Sequence, residues 1–94
     1  MEKNVLITGS SHGIGAAAAI AFAKEGYNVG VNANKNPGSA AEVANKCREY
    51  GVDAQVYVCD VSKHDACKKM IMDFIDHFGH IDVLINNAGG ALQI

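Results

Sequence analysis

The sequence predicts an α/β chain in which four parallel strands alternate with three helices, one half of a doubly wound fold. Two observations carry this expectation. Short apolar runs rich in β-branched residues, Val5-Leu6-Ile7, Val29-Gly30-Val31, Val56-Tyr57-Val58 and Val83-Leu84-Ile85, are long enough for buried strands and too short for helices. Between them lie stretches with helical spacing at 14–25, 39–50 and 62–78. Each is followed by a glycine, Gly26, Gly51 and Gly79, where a helix end commonly needs a left-handed residue. The order is therefore β-α-β-α-β-α-β, and right-handed crossovers make the sheet parallel.

The first strand runs straight into Thr8-Gly9-Ser10-Ser11-His12-Gly13-Ile14-Gly15 and then a helix. Glycines permit positive φ and close approach of backbone to ligand, while the free N–H groups and dipole of a helix start attract phosphate. A position between strand and helix favours a phosphate-binding turn over a plain tight turn, and the third glycine lets helix meet strand. The first helix is nearly solid alanine, Ala16 to Ala19 with Ala21 and Ala23, so it can lie close against the sheet. Ser39 with Glu42, and Ser62 with Asp65, have the spacing of capping boxes for the second and third helices. In the third helix Ala66, Met70, Ile71, Phe74, Ile75 and Phe78 form one apolar stripe, which reads as core.

Composition bounds the rest. Ninety-four residues suffice for one domain at most, and 49% hydrophobic against 19% charged residues excludes an intrinsically disordered chain. Eight Lys plus Arg against ten Asp plus Glu leave a net charge of −2, so nucleic acid is not an expected partner. No apolar run is long enough for a signal-peptide core or a membrane span, which points to a cytoplasmic chain without a membrane partner. Cys47, Cys59 and Cys67 form no C-x-x-C pair and read as reduced, buried thiols. His64, His77 and His80 read as solvated side chains at helix ends, and no metal site is expected.

Three motifs, in this order at the carboxyl ends of three strands, carry a family likeness. Thr8-Gly9-x-x-x-Gly13-Ile14-Gly15, Asp60-Val61 and Asn86-Asn87-Ala88-Gly89 resemble the short-chain dehydrogenase/reductase family across the whole chain, and within it Tyr27-Asn28-Val29-Gly30-Val31-Asn32 and the later segments are most similar to the 3-oxoacyl-acyl-carrier-protein reductase group. The resemblance implies a Rossmann-type fold, with 1–94 as the amino-terminal part of a single NAD(P)-binding domain. It further implies hydride transfer between a nicotinamide cofactor and a small-molecule carbonyl or alcohol substrate, by a homo-oligomeric parent protein. Position by position it assigns Gly9, Ser10, Ser11, His12, Gly13, Ile14 and Gly15 to the cofactor pyrophosphate and adjoining ribose. Asp60 is assigned to the adenine amino group and Val61 to the adenine ring. Asn87, Ala88 and Gly89 are assigned to the cofactor ribose, and Asn86 to tying the central strands together. Read without the resemblance, Asp60 or the following Ser62 is simply a helix cap.

Charge after the second strand bears on the choice of cofactor. An acid there would accept hydrogen bonds from both ribose hydroxyls of NAD and repel the 2′-phosphate of NADP, but Asn32-Ala33-Asn34-Lys35 contains none. Lys35 can approach that phosphate, unless it is only a solvated loop charge. By the resemblance, His12 stands where NADP-dependent relatives often have Arg or Lys, although a neutral imidazole is the weaker anion partner. NADP is thus the expected cofactor and NAD the alternative, with Asn32, Asn34 and Lys35 as contacts. An acid introduced at Ala33 is expected to reverse the preference.

The family places its chemistry on a Ser and a Tyr-x-x-x-Lys pair. Four residues after Tyr27, Tyr50 and Tyr57 stand Val31, Ala54 and Val61, so no catalytic residue is assigned within 1–94 and a catalytic half is expected beyond it. The substrate stays open between 3-oxoacyl groups and a sugar, polyol or steroid. A nucleotide-binding module without turnover is the alternative from a different class.

Overall fold

The computed structural model describes residues 2–87. Its elements alternate as expected: β1 Asn4–Ile7, α1 Gly13–Lys24, β2 Asn28–Ala33, α2 Pro37–Arg48, β3 Ala54–Val58, α3 His64–Phe78 and β4 Val83–Ile85. Every strand pairing is parallel, in the order β3-β2-β1-β4, with Val5 of β1 opposite both Val29 and Val83. This is the Rossmann-like α/β arrangement. Chain order reverses between β1 and β4, which makes the carboxyl ends of these two strands the switch point where such sheets bind ligands.

The two faces of the sheet are covered by different helices. Val5, Ile7, Val29, Val31, Ala33 and Ala54 pack with Ala19 and Ala23 of α1 and with Ala40, Val43, Ala44 and Cys47 of α2. Leu6 points the other way, into a cluster with Cys59, Met70 and Phe74. A strand buried on both faces reads as a continuous apolar run, which is why β1 shows no alternation. Phe74 anchors α3 directly over Gly30, where an added Cβ would lie 2.7 Å from the aromatic ring. Glycine inside this strand therefore marks the close approach of a helix. Burial of Phe74 contributes about 1.5 to 3 kcal/mol.

Helix boundaries depart from expectation at their starts. The cap of α2 is Asn36, whose Oδ1 accepts from Gly38 N at 2.8 Å ahead of Pro37; Ser39 lies inside the helix. Proline at the first helical position is preorganised for it, and asparagine is among the best caps, so this pair wins over the later serine. The start of α3 carries no side-chain cap, because Ser62 donates its hydroxyl back to Asp60 Oδ1 at 2.7 Å and so stays in the turn ahead of the helix. Gly26, Gly51 and Gly79 all have positive φ, as the helix ends require.

A polar ladder closes the opposite edge of the sheet. Asn28 Nδ2 donates to Asn4 Oδ1 at 3.0 Å, and Asn4 Nδ2 donates to His80 O at 3.0 Å. Asp53 N donates to Asn28 Oδ1 at 3.0 Å. These buried amides satisfy one another and the neighbouring backbone. Among the described residues no three His, Cys, Asp or Glu side chains gather to hold a metal, and no helix is long and apolar enough to cross a membrane.

Candidate functional site

The loop leaving β1 is built around Asn32. Gly9 N donates to Asn32 Oδ1 at 2.8 Å, and Ser10 N donates to Asn32 O at 3.0 Å. The Ser10 hydroxyl donates to Ile7 O at 2.7 Å and accepts from Asn32 N at 2.8 Å. Asn32 Nδ2 then reaches Tyr57 O at 3.1 Å and Cys59 O at 3.3 Å. Ser10 and Asn32, both expected at the cofactor, are buried, and these bonds commit their side chains to joining the loop to β2 and the end of β3. Each remaining bond partner is backbone, so the loop's shape is set before any ligand arrives.

A second clasp joins the ends of β1 and β4 across the switch point. Thr8 N donates to Ile85 O at 3.0 Å, and Asn87 N donates to the Thr8 hydroxyl at 2.9 Å. Thr8 Oγ1 donates to Asn86 Oδ1 at 3.2 Å, and Asn87 Nδ2 donates to Gly9 O at 3.1 Å. Asn86 thus ties strands together, the role expected of it, and Asn87 shares that role through its side chain. Ala88 and Gly89, assigned to the ribose, lie outside the described residues.

The start of α1 remains open. Its N-cap, His12, makes no side-chain cap bond, and the first turn holds no acid. The first N–H groups of the helix therefore keep their donors and their positive end of the dipole for an anion. His12 Nδ1 lies 3.0 Å from the Ser11 hydroxyl, beside this opening. Gly9 and Gly13 sit at φ +62 and +65, and a Cβ at Gly13 would meet no atom within 4 Å, so space lies in front of the loop. Gly15 is the contrary case: its Cβ would stand 2.3 Å from Gly9 O and 2.9 Å from Ser10 Cα, so only glycine lets the helix reach the strand end. Ile14 projects 82% exposed beside the opening. An uncapped helix start, a flat glycine surface and an exposed apolar side chain fit a diphosphate carrying an apolar or aromatic group.

The ends of β2 and β3 flank this opening. Ala33 is only 2% exposed and belongs to the apolar cluster beneath α1 and α2. Asn34 and Lys35 are exposed, and Asn34 is the first free-standing side chain after β2. Asp60 accepts from the Ser62 hydroxyl and from Ser62 N at 3.0 Å. These bonds hold its carboxyl below the usual range, with smaller help from Lys63 and Lys35. Val61 is partly buried against the α3 cluster. The structure thus brings the loop at 9–15, Asn34, Lys35, Asp60, Val61 and Asn87 to one edge of the sheet.

Sequence reasoning missed Thr8 as the clasp between strands, Asn36 as a cap and Gly30 as the seat of Phe74. The Asn-Pro dipeptide signalled the cap, and a glycine inside an apolar run signalled the close approach.

Comparison with known proteins agrees with this geometry. The short chain dehydrogenase family matches residues 3–93. A 3-oxoacyl-acyl-carrier-protein reductase from Staphylococcus epidermidis is 42% identical over 89 residues, 95% of this chain and 36% of the relative. Glucose 1-dehydrogenase 2 from Bacillus subtilis is 39% identical over 87 residues, 93% of this chain and 34% of the relative. Among solved structures, an NADH-dependent reductase A1-R′ complexed with NAD superposes with a TM-score of 0.87 at 44% identity, covering 95% of this chain and 37% of that one. The chain spans about a third of the length of the curated relatives it matches. With three strand-end motifs on one edge of a Rossmann-like sheet and a family match over nearly every residue, the chain belongs to the short-chain dehydrogenase family.

Proposed function

We propose that this chain is the dinucleotide-binding part of an oxidoreductase that moves a hydride between a nicotinamide cofactor and a carbonyl or alcohol substrate. The observation that carries this reading is the uncapped start of α1 behind the loop of Gly9 and Gly13. In this reading the backbone of 9–15 receives the pyrophosphate, with Ser11 and His12 at its rim and Ile14 against the ligand's apolar part. Asp60 and Val61 hold the adenine, and Asn87 with Ala88 and Gly89 lies along the ribose. Asn32 and Ser10 act by fixing the loop. The nicotinamide supplies the hydride when bound. Proton exchange with the substrate falls to groups outside 1–94, since no Tyr-x-x-x-Lys occurs here.

NADP is the proposed dinucleotide, because Asn34 and Lys35 leave the end of β2 without an acid and with an exposed cation. NAD is the second reading, favoured by the NADH-dependent reductase at 44% identity. Titration of the protein with NADPH and NADH distinguishes them: tighter NADPH binding is expected, and tighter NADH binding would overturn the preference. Asn34→Asp is expected to weaken NADPH and favour NADH by about tenfold, the equivalent of one pKa unit of charge interaction. Binding of neither dinucleotide would remove the function altogether.

For the substrate we propose 3-oxoacyl groups carried on acyl-carrier protein, supported by the 42% identical relative of that name. A sugar is the competing class, supported by the glucose dehydrogenase. Steady-state rates of the whole protein with a 3-oxoacyl thioester and with glucose decide between them; a larger kcat/KM for glucose would reject the first.

A further inference from the structure

Asn32, next to last in β2, is 1% exposed, and its one amide serves two other segments. Oδ1 faces the glycine loop and accepts from Gly9 N at 2.8 Å, while Nδ2 faces the end of β3, with Tyr57 O at 3.1 Å and Cys59 O at 3.3 Å. A third acceptor of Nδ2, Ala33 O at 3.3 Å, itself takes Cys59 N at 2.9 Å. Gly9 N shares a planar peptide with the Thr8 carbonyl, and Cys59 O shares one with Asp60 N, so this side chain holds two peptide planes. The first opens the loop of 9–15, and the second launches the turn of Asp60, Val61 and Ser62. Donor and acceptor cannot trade places, because a flipped amide would set Nδ2 against Gly9 N–H and Oδ1 against three carbonyls. Ser10 differs in its reach: it bonds to the backbone of Ile7 and Asn32, in β1 and β2.

We propose that Asn32 is a positioning residue that couples the two ends of the dinucleotide site, so that filling the adenine end at Asp60 and Val61 tightens the hold of the 9–15 loop on a diphosphate. Both ends draw on one amide. A ligand group that steadies the Cys59-Asp60 peptide steadies Asn32 and with it the Gly9 N–H, so the second group meets a loop whose ordering is already done. The position requires asparagine. Aspartate keeps an acceptor for Gly9 N but turns a charge on three carbonyls, and leucine supplies neither bond. A protonated aspartic acid is the one close mimic, with an O–H for Tyr57 O or Cys59 O and a carbonyl for Gly9 N.

The coupling rests on the proposed function, whereas the bridge between loop and turn does not, and the full-length protein tests both. In wild type, affinity for inorganic pyrophosphate is measured with and without saturating adenosine, which carries no charge to act on it directly. A gain of about fivefold or more is expected, the lower end of ordinary coupling between sites. Equal affinities would overturn the coupling. Next, NADP+ binding by Asn32→Asp is compared with wild type across pH, the wild type removing the contributions of His12, Lys35 and the ligand's own phosphates. A loss of about tenfold or more is expected at about pH 8, as for an unsatisfied buried group, with recovery toward wild type at about pH 5.5, because burial raises the introduced carboxyl. Cys59 is pushed above its ordinary 9.0, chiefly by burial, and Asp60 is held below 3.8, chiefly by Ser62, so neither titrates between. The same loss at both pH values would leave Asn32 merely structural and overturn the proposal. In the ligand-free variant the Gly9 and Asp60 amide resonances are expected to titrate with one midpoint, and two separate midpoints would overturn the bridge. Should wild type bind neither adenosine, pyrophosphate nor NADP+, the functional reading fails and the coupling with it, while those resonances still decide the bridge.

Discussion

Gly13 and Gly15, two residues apart in one loop, do different things. Gly13 holds a left-handed φ in open space, so alanine there meets only the conformational cost of about 1 to 2 kcal/mol. Gly15 has ordinary φ and no room: besides the Asn87 amide, its neighbours are backbone atoms of Gly9 and Ser10, which cannot rotate away. Gly15→Ala is therefore expected to destabilise by about 3 kcal/mol, the upper range for overpacking. Urea denaturation of both variants checks this, and a Gly15→Ala protein as stable as Gly13→Ala would show that the helix start simply slides. Sequence spacing marked both glycines but did not say which was steric, because that depends on how near α1 comes to the end of β1.

The starts of helices are where element-level reasoning was weakest. A capping box read from Ser39 and Glu42 is a local pattern, and so is a cap read from Asn36 followed by Pro37; the second is realised. Asn36→Ala is expected to cost about 1 kcal/mol of stability, the typical value of a lost cap, and Ser39→Ala less than about 0.5 kcal/mol. Thermal melts of the two variants compare them directly, and a larger loss at Ser39 would restore the capping box. The ends of the same helices were legible, since Gly26, Gly51 and Gly79 must adopt a positive φ that other residues avoid. The third helix was legible on its core face as well: Met70 and Phe74 of the apolar stripe are its buried residues.

The edge opposite the site contributes to the acid sensitivity of the whole molecule. Burial pushes the Asp53 carboxyl up, but hydrogen bonds from Gln55 and His77 and the charges of His77 and Arg48 outweigh it, and the net shift is downward. His77 Nε2 stands 2.8 Å from Asp53 Oδ2. A carboxyl depressed in the folded state contributes stability above its unfolded value, 3.8, and loses it as pH falls through the folded value. Stability is thus expected to drop below about pH 4, and less steeply in Asp53→Asn. Urea midpoints at pH 3 and pH 6 test this; equal pH sensitivity in the variant would exclude Asp53 as a source.

The outer edge of β4 raises a separate expectation. Among the described residues β4 pairs only with β1, and Leu84 is 50% exposed. Residues 1–94 by themselves are expected to associate through this edge and to turn over no carbonyl substrate, lacking an acid–base contribution of about 10²- to 10⁴-fold. Sedimentation beside a reductase assay measures both, and a stable monomer or a measurable turnover would count against the respective half.

By itself the sequence determined the alternation of elements, the parallel sheet and the glycine turn between β1 and α1. Each follows from short-range periodicity or from a residue type whose backbone freedom is unique. Only the tertiary structure decided that Asn32 is a buried framework residue, and that Ala33 faces the core and Asn34 the solvent. These are questions of which way a side chain points at the end of a strand and of what another element places against it. In a strand buried on both faces, apolar pattern carries no information about direction, so neighbouring elements supply it.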